Sequence, residues 1–140
     1  MRNSKLYLAH PLISRAYVRN WEKGFEERTG IELVNPFYDA RERKEIEALD
    51  RGERKRYEDI DPFSIVNGDL KSIAEAEGTV AILDTDVTIG TIMEIVYTYN
   101  ANKPVYCIVT NGWAKHPWII FHATKIFASE KEFEDYMMEV

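Results

Sequence analysis

Two carboxylates and a phenol occupy positions in this sequence from which they could do chemistry. Glu94 stands four residues past Gly90, after the polar loop Asp84-Thr85-Asp86-Val87-Thr88-Ile89-Gly90, with Met93 and Ile95 on either side. Flanked so, the helix it opens reads as largely buried, and a buried carboxylate needs a polar partner or a substrate to offset its desolvation. The same position also suits a surface acid favoured by the helix dipole. Asp69 reads as part of the first turn of a helix capped by Asn67, where the dipole explains it equally well. Tyr7 lies in the strand-like run Lys5-Leu6-Tyr7-Leu8-Ala9, where alternation suits core as well as function. Asp84 and Asp86 could cradle a cation or accept a phosphoryl group in a receiver-like module, but two aspartates are few ligands. His116 reads as an exposed loop histidine or an acid at a site or subunit boundary, and Cys107 as an inert core thiol.

These residues need a scaffold, and the chain has the size for one. Its 140 residues are 45% apolar and 30% charged, which suits one domain over 1–140 with a substantial core. A net charge of −6 leaves no broad basic face for nucleic acid. A single cysteine excludes an intrachain disulfide framework and a multi-thiolate metal centre, and points to the reducing cytoplasm. The apolar runs are far shorter than the ~20 residues of a membrane span. Met1-Arg2-Asn3-Ser4 runs straight into a strand-like segment, so no export signal is expected.

The elements alternate. The strand at 5–9 breaks at His10-Pro11. Ile13, Tyr17, Trp21 and Phe25 then recur every four residues and predict an amphipathic helix with that stripe inward, closed by Gly30. Ile31-Glu32-Leu33-Val34 predicts a second strand ending at Asn35-Pro36. Between 39 and 61, 16 of 23 residues are charged, which suits a solvated helix or a flap. A helix from Asn67 to Gly78, a strand at 79–83, a helix at 91–102 and a strand at 104–109 follow. A helical stretch at 116–124, a short strand at 125–127 and a last helix behind the capping spacing Ser129-Glu130-Lys131-Glu132 complete the chain. The alternation predicts an α/β fold, a five-stranded parallel sheet with helices on both faces. Ligands in such sheets bind beyond the carboxyl ends of the strands. His10, Pro11, Phe37, Asp84, Asp86, Thr88, Gly90 and His116 are therefore candidate substrate contacts. Trp113, Trp118 and Phe121 are expected to pack in core and interface.

Taken in order, Tyr7-Leu8-Ala9-His10-Pro11, Asn67-Gly68-Asp69-Leu70 and Gly90-Thr91-Ile92-Met93-Glu94-Ile95 resemble the nucleoside 2-deoxyribosyltransferase family, over most of the chain. Similar features occur in the related 2'-deoxynucleoside 5'-monophosphate N-glycosidases. The resemblance implies a flavodoxin-like (Rossmann-like) five-stranded sheet, Glu94 as nucleophile, Asp69 in base binding or proton transfer, and Tyr7 positioning Glu94. It places Asp86, Thr88 and Gly90 along the sugar and its 5' end, requires no metal or organic cofactor, and implies a homo-oligomer. Breaking an N-glycosidic bond with retention needs a carboxylate beneath the anomeric carbon and a proton for the departing base. The glycosyl-enzyme then passes to a second base or to water.

Pro11 and Ile13 stand where phosphate-handling relatives carry Ser and Arg, which favours a free nucleoside; Thr88 resembles the hydroxyl residue of the hydrolases, which favours a monophosphate. His116-Pro117-Trp118 replaces the stretch that supplies an Asn or Ser across the subunit boundary. A deoxyribosyltransferase is thus the leading expectation, a nucleotide N-glycosidase the second, and a non-catalytic nucleotide-binding or receiver-like module the third.

Overall fold

The computed structural model describes residues 4–11, 14–38, 61–85 and 89–140. The charged segment at 39–60, Ile13, and the candidate contacts Asp86 and Thr88 lie outside them.

Five strands form one parallel sheet: β1 (Lys5–Ala9), β2 (Glu32–Val34), β3 (Gly78–Leu83), β4 (Val105–Val109) and β5 (Lys125–Phe127). Their order is β2-β1-β3-β4-β5, so the chain reverses direction across the sheet between β1 and β3. Tyr7 pairs with Val34 on one side and Thr79 on the other, which places it at that reversal. Strand alternation sends Leu6, Leu8, Val80, Ile82 and Ile108 to one face and Tyr7, Ala9, Ala81, Leu83 and Cys107 to the other. The first face is covered by α1 (Arg15–Thr29) and α5 (Glu130–Glu139), through Val18, Phe25, Phe133 and Met137. The second is covered by α2 (Pro62–Glu75), α3 (Ile89–Asn100) and α4 (Pro117–His122), through Ile73, Ile95 and Ile119. This is the predicted α/β architecture.

Local chemistry explains the boundaries. Gly30 ends α1 with φ of 75°, a left-handed conformation that costs glycine little, and its N–H donates to the Glu26 carbonyl at 2.9 Å. Helix α2 starts earlier than the sequence suggested. Asp61, not Asn67, is its cap, accepting from the N–H groups of Phe63 and Ser64, with Pro62 in the first position. Asn67 and Asp69 are therefore interior helical residues. Its far end is held by Lys103, whose Nζ donates to the carbonyls of Ile73, Ala74 and Ala76 at 2.7–3.0 Å.

Three packing expectations are corrected. Helix α1 buries Val18, Glu22, Phe25 and Thr29, whereas Tyr17 is 58% exposed. A spacing of four drifts by about 40° per step around a helix of 3.6 residues per turn, so the stripe crosses the core face obliquely: Phe25 is buried, Trp21 packs against the core and Tyr17 lies outside it. Helix α3 buries Thr91, Ile95 and Thr98 but leaves Ile89, Met93 and Tyr97 exposed, so it is a covering helix rather than a buried one. Trp118 and Phe121, expected in core and interface, are 70% and 64% exposed and so lie outside the core, because α4 buries only Ile119 and His122.

Candidate functional site

Glu94 lies in the second turn of α3, not the first, because that helix begins at Ile89. Its Oε2 accepts a hydrogen bond from the Tyr7 hydroxyl on β1, underneath it. Tyr7 is fully buried, so the phenol can turn neither to solvent nor to another strand. Asp69, on α2, acts on the same carboxyl through its charge. One strand and two helices thus bring together the three residues singled out for catalysis.

The electrostatics follow from that burial. Desolvation pushes the Glu94 carboxyl up to about 8, the Tyr7 hydrogen bond pulls against it, and the charge of Asp69 raises it further. A carboxyl held between acid and carboxylate near neutral pH is a general mark of a reacting group. Two neighbouring carboxyl groups in unlike surroundings, one with a phenol donor, form a pair suited to nucleophile and proton carrier.

The rim is built from loops that tie to one another. Ser14, at the entry to α1, donates to Asp84 Oδ1 at 2.8 Å and joins the loop after β1 to the loop after β3. Asn111 Nδ2 donates to the Thr85 carbonyl at 2.7 Å and joins in the loop after β4. Gly90 stands exposed in the first turn of α3, with nothing within 4 Å of where a Cβ would be. Phe37 follows β2 in a short turn (Pro36–Tyr38) and meets the His10 ring edge-on, 4.9 Å between centroids.

His10 and Pro11 are buried, and the His10 ring faces inward, Nε2 3.1 Å from Asn35 Oδ1 and Nδ1 3.0 Å from the Pro11 carbonyl. Neither oxygen carries a proton, so both contacts are hydrogen bonds only for the doubly protonated ring; a neutral ring keeps one. Burial lowers the ring's proton affinity below the usual 6.5, while Asn35, the Pro11 carbonyl and Asp84 favour the cation. His116 is exposed and caps α4, its Nδ1 accepting from the Trp118 N–H at 3.2 Å. With Ile92, Ile95, Trp113 and Trp118 it also borders an apolar cavity of about 290 Å³ between α3 and α4. Cys107 is buried mid-strand, its thiol pushed up to about 12 by desolvation, which keeps it inert. Among the described residues no three His, Cys, Asp or Glu side chains cluster as a metal centre would.

Sequence reasoning passed over Glu22 and Asn35. Glu22 falls between the apolar positions of α1 and reads as solvent-facing, yet it is fully buried with Asn35 Nδ2 donating to its Oε1 at 2.6 Å. No periodicity rule picks out such an acid, since the rule counts it as solvent-facing.

No protein-family model matches the chain, and no curated protein matches it in sequence. Among solved structures, a 2-deoxyribosyltransferase from the psychrotolerant bacterium Bacillus psychrosaccharolyticus superposes with a TM-score of 0.70 at 23% identity, covering 95% of this chain and 92% of that one. A Leishmania mexicana 2-deoxyribosyltransferase does so with a TM-score of 0.66 at 14% identity, covering 97% of each. The Clostridium botulinum CMP N-glycosidase gives 0.60 at 18% identity, covering 98% of this chain and all of that one. The chain therefore shares its fold with these enzymes.

Proposed function

We propose that this protein is a nucleoside 2-deoxyribosyltransferase, which moves a 2-deoxyribosyl group between bases through a covalent intermediate on Glu94. The observation that carries the reading is a buried carboxyl, set against a phenol donor and a second acid, at the carboxyl side of the strand reversal. In the first step a Glu94 carboxylate oxygen bonds to the anomeric carbon from the face opposite the base. The carbon–nitrogen bond breaks, and its electron pair leaves with the base, which takes up a proton. Asp69 manages that proton, and Tyr7 holds Glu94 in line and stabilises its charge when the glycosyl ester is broken. In the second step the nitrogen of an incoming base attacks the same carbon and passes its proton to Asp69, while the bond to Glu94 breaks and returns the carboxylate. Water in place of that base gives hydrolysis.

His10, Pro11, Phe37, Asp84, Asp86, Thr88, Gly90 and His116 are proposed contacts or rim residues of the substrate, with His10 acting from behind the rim. The apolar side chains of Ile89, Met93 and Tyr97 at helical spacing on α3, with Trp118 and Phe121 on α4, support assembly into a homo-oligomer. No described helix is long and apolar enough to cross a membrane. The single, buried thiol suits the cytoplasm.

The test is chromatographic. Each of the four deoxynucleosides and each deoxynucleoside monophosphate is incubated with and without adenine, beside a Glu94→Ala control. New nucleoside appearing only with adenine supports the transferase. Free base from monophosphates without adenine replaces it with the N-glycosidase, a reading favoured by the fold shared with a CMP N-glycosidase. Equal behaviour of Glu94→Ala and wild type overturns both.

A further inference from the structure

Behind the rim runs a chain of buried polar side chains, of which the proposed function names only His10. It begins at Glu22, fully buried on the inner face of α1, with Arg19 pairing to its Oε1 at 3.3 Å and partly exposed. Asn35, just past β2, donates from Nδ2 to the same oxygen at 2.6 Å. Its Oδ1 accepts from the Phe37 N–H at 3.2 Å and faces His10 Nε2 at 3.1 Å. The amide cannot be reversed without setting its NH2 against the Phe37 N–H, so Phe37 fixes which end of Asn35 looks toward Glu22. His10 closes the chain on the Pro11 carbonyl at 3.0 Å. Two ring contacts brace its outer side: Phe37 edge-on to His10, and the Arg19 guanidinium 4.5 Å above the Tyr38 ring.

An acid is a costly way to fasten a helix to a strand, since well-packed apolar residues at such a place are often as stable or more so. What the chain adds is position. Asn35 holds the backbone of Phe37 and the ring of His10 at once, so the loops after β1 and β2 are set relative to each other and to Tyr7, three residues upstream of His10. These loops carry Pro11 and Phe37, two of the proposed substrate contacts.

We propose that Glu22, Asn35 and His10 are positioning residues that lock the Pro11 and Phe37 loops into the wall against which a nucleobase is held. This rests on the glycosyl-transfer reading for its substrate but not for the lock itself. Glu22 anchors the amide, Asn35 divides its two ends between α1 and the loops, and His10 transmits the hold to the loop that follows Tyr7. None of the three touches the reacting atoms.

The test compares Asn35→Ser, Glu22→Met and Glu22→Gln. Glutamine keeps an acceptor for the Asn35 amide, and methionine removes it at similar volume. With the substrate and acceptor base that work best, Asn35→Ser and Glu22→Met are expected to raise KM at least 10-fold and change kcat less than about 3-fold. Glu22→Gln is expected to restore KM to within about 3-fold of wild type. A purely structural role would lower the melting temperature and leave KM of the folded protein unchanged, which would overturn the proposal. Hydrogen exchange of the Phe37 amide in the unliganded protein keeps two failures apart. Unaccelerated exchange in Asn35→Ser overturns the lock whether or not glycosyl transfer is found. Exchange at least 100-fold faster, in a protein without transfer activity, supports the lock and overturns only the glycosyl-transfer reading.

Discussion

Replacing Glu94 by glutamine separates what the buried acid costs from what it does. The carboxyl is held at about 8 rather than its ordinary 4.5, chiefly by desolvation. Between those values the native protein keeps a proton that the unfolded chain has released. Stability is therefore fully present below pH 4.5 and is lost as pH rises through 8. At about 1.4 kcal/mol per pH unit, the whole excursion is worth on the order of 4–5 kcal/mol. Glutamine does not titrate, and its carbonyl still accepts from the Tyr7 hydroxyl. The two proteins are thus expected to unfold within about 1 kcal/mol of each other at pH 5, with the variant ahead by about 3–5 kcal/mol at pH 9. Urea unfolding at pH 5, 7 and 9 reads the gap, and base exchange on the same preparations reads the loss of function. A gap that does not widen with pH would refute the burial argument. Exchange at the wild-type rate would refute the nucleophile.

Other expectations follow from the same contacts. With the Glu94 carboxylate as the proposed nucleophile, kcat/KM should rise with pH and level off above about 8. Tyr7→Phe removes the bond that lowers Glu94, so its rise should move to higher pH with kcat/KM down roughly 10- to 100-fold, the scale of a lost charged hydrogen bond. Asp69→Asn should move the rise to lower pH, because the charge that raises Glu94 is gone; a rise unmoved in pH-rate measurements would show that Asp69 does not act on Glu94. Lys103→Met takes the ammonium donor from the Ala74 and Ala76 carbonyls at the end of α2, while that of Ile73 keeps the Ala76 N–H, and should cost about 1–3 kcal/mol in urea unfolding. Gly78→Ala would set its Cβ 2.7 Å from the Pro104 carbonyl oxygen, a backbone atom that cannot step aside, and should cost about 1–3 kcal/mol by the same measurement.

The strands were the most legible part of the sequence, because a buried parallel strand is a nearly continuous apolar run and Thr79-Val80-Ala81-Ile82-Leu83 can be little else. The proposed catalytic residues were singled out through the family resemblance, each alone having an equally good structural reading; Tyr7 and Glu94, far apart in the chain, share a hydrogen bond, and the charge of Asp69 reaches the same carboxyl. Helix faces were not legible, and neither was the start of α2. The start of α2 was obscured because Asp61-Pro62, a good helix opening, closes a run of charges that reads as one solvated stretch, and Asn67 offered a plausible cap inside the helix. Glu22 was hidden for a related reason: a charge on an amphipathic helix is assigned to water unless its partner is known, and Asn35 is thirteen residues away. Trp118 and Phe121 show the converse, since aromatic size argues for burial but a six-residue helix with two inward positions leaves the others outside.

The proposed catalytic trio stands on regular elements, Tyr7 on β1, Asp69 within α2 and Glu94 within α3, while the proposed surrounding wall is made of connecting loops. Two kinds of variation are thereby uncoupled. Changes in the loops can alter which base is admitted while the acidity of Glu94 stays set by the helices above it. Changes that repack α2 or α3 would shift the working pH for every substrate at once. A laboratory selection for new bases should therefore collect its substitutions around 10–11 and 35–38, and a selection for a new pH optimum should collect them on the faces of α2 and α3 that meet β1.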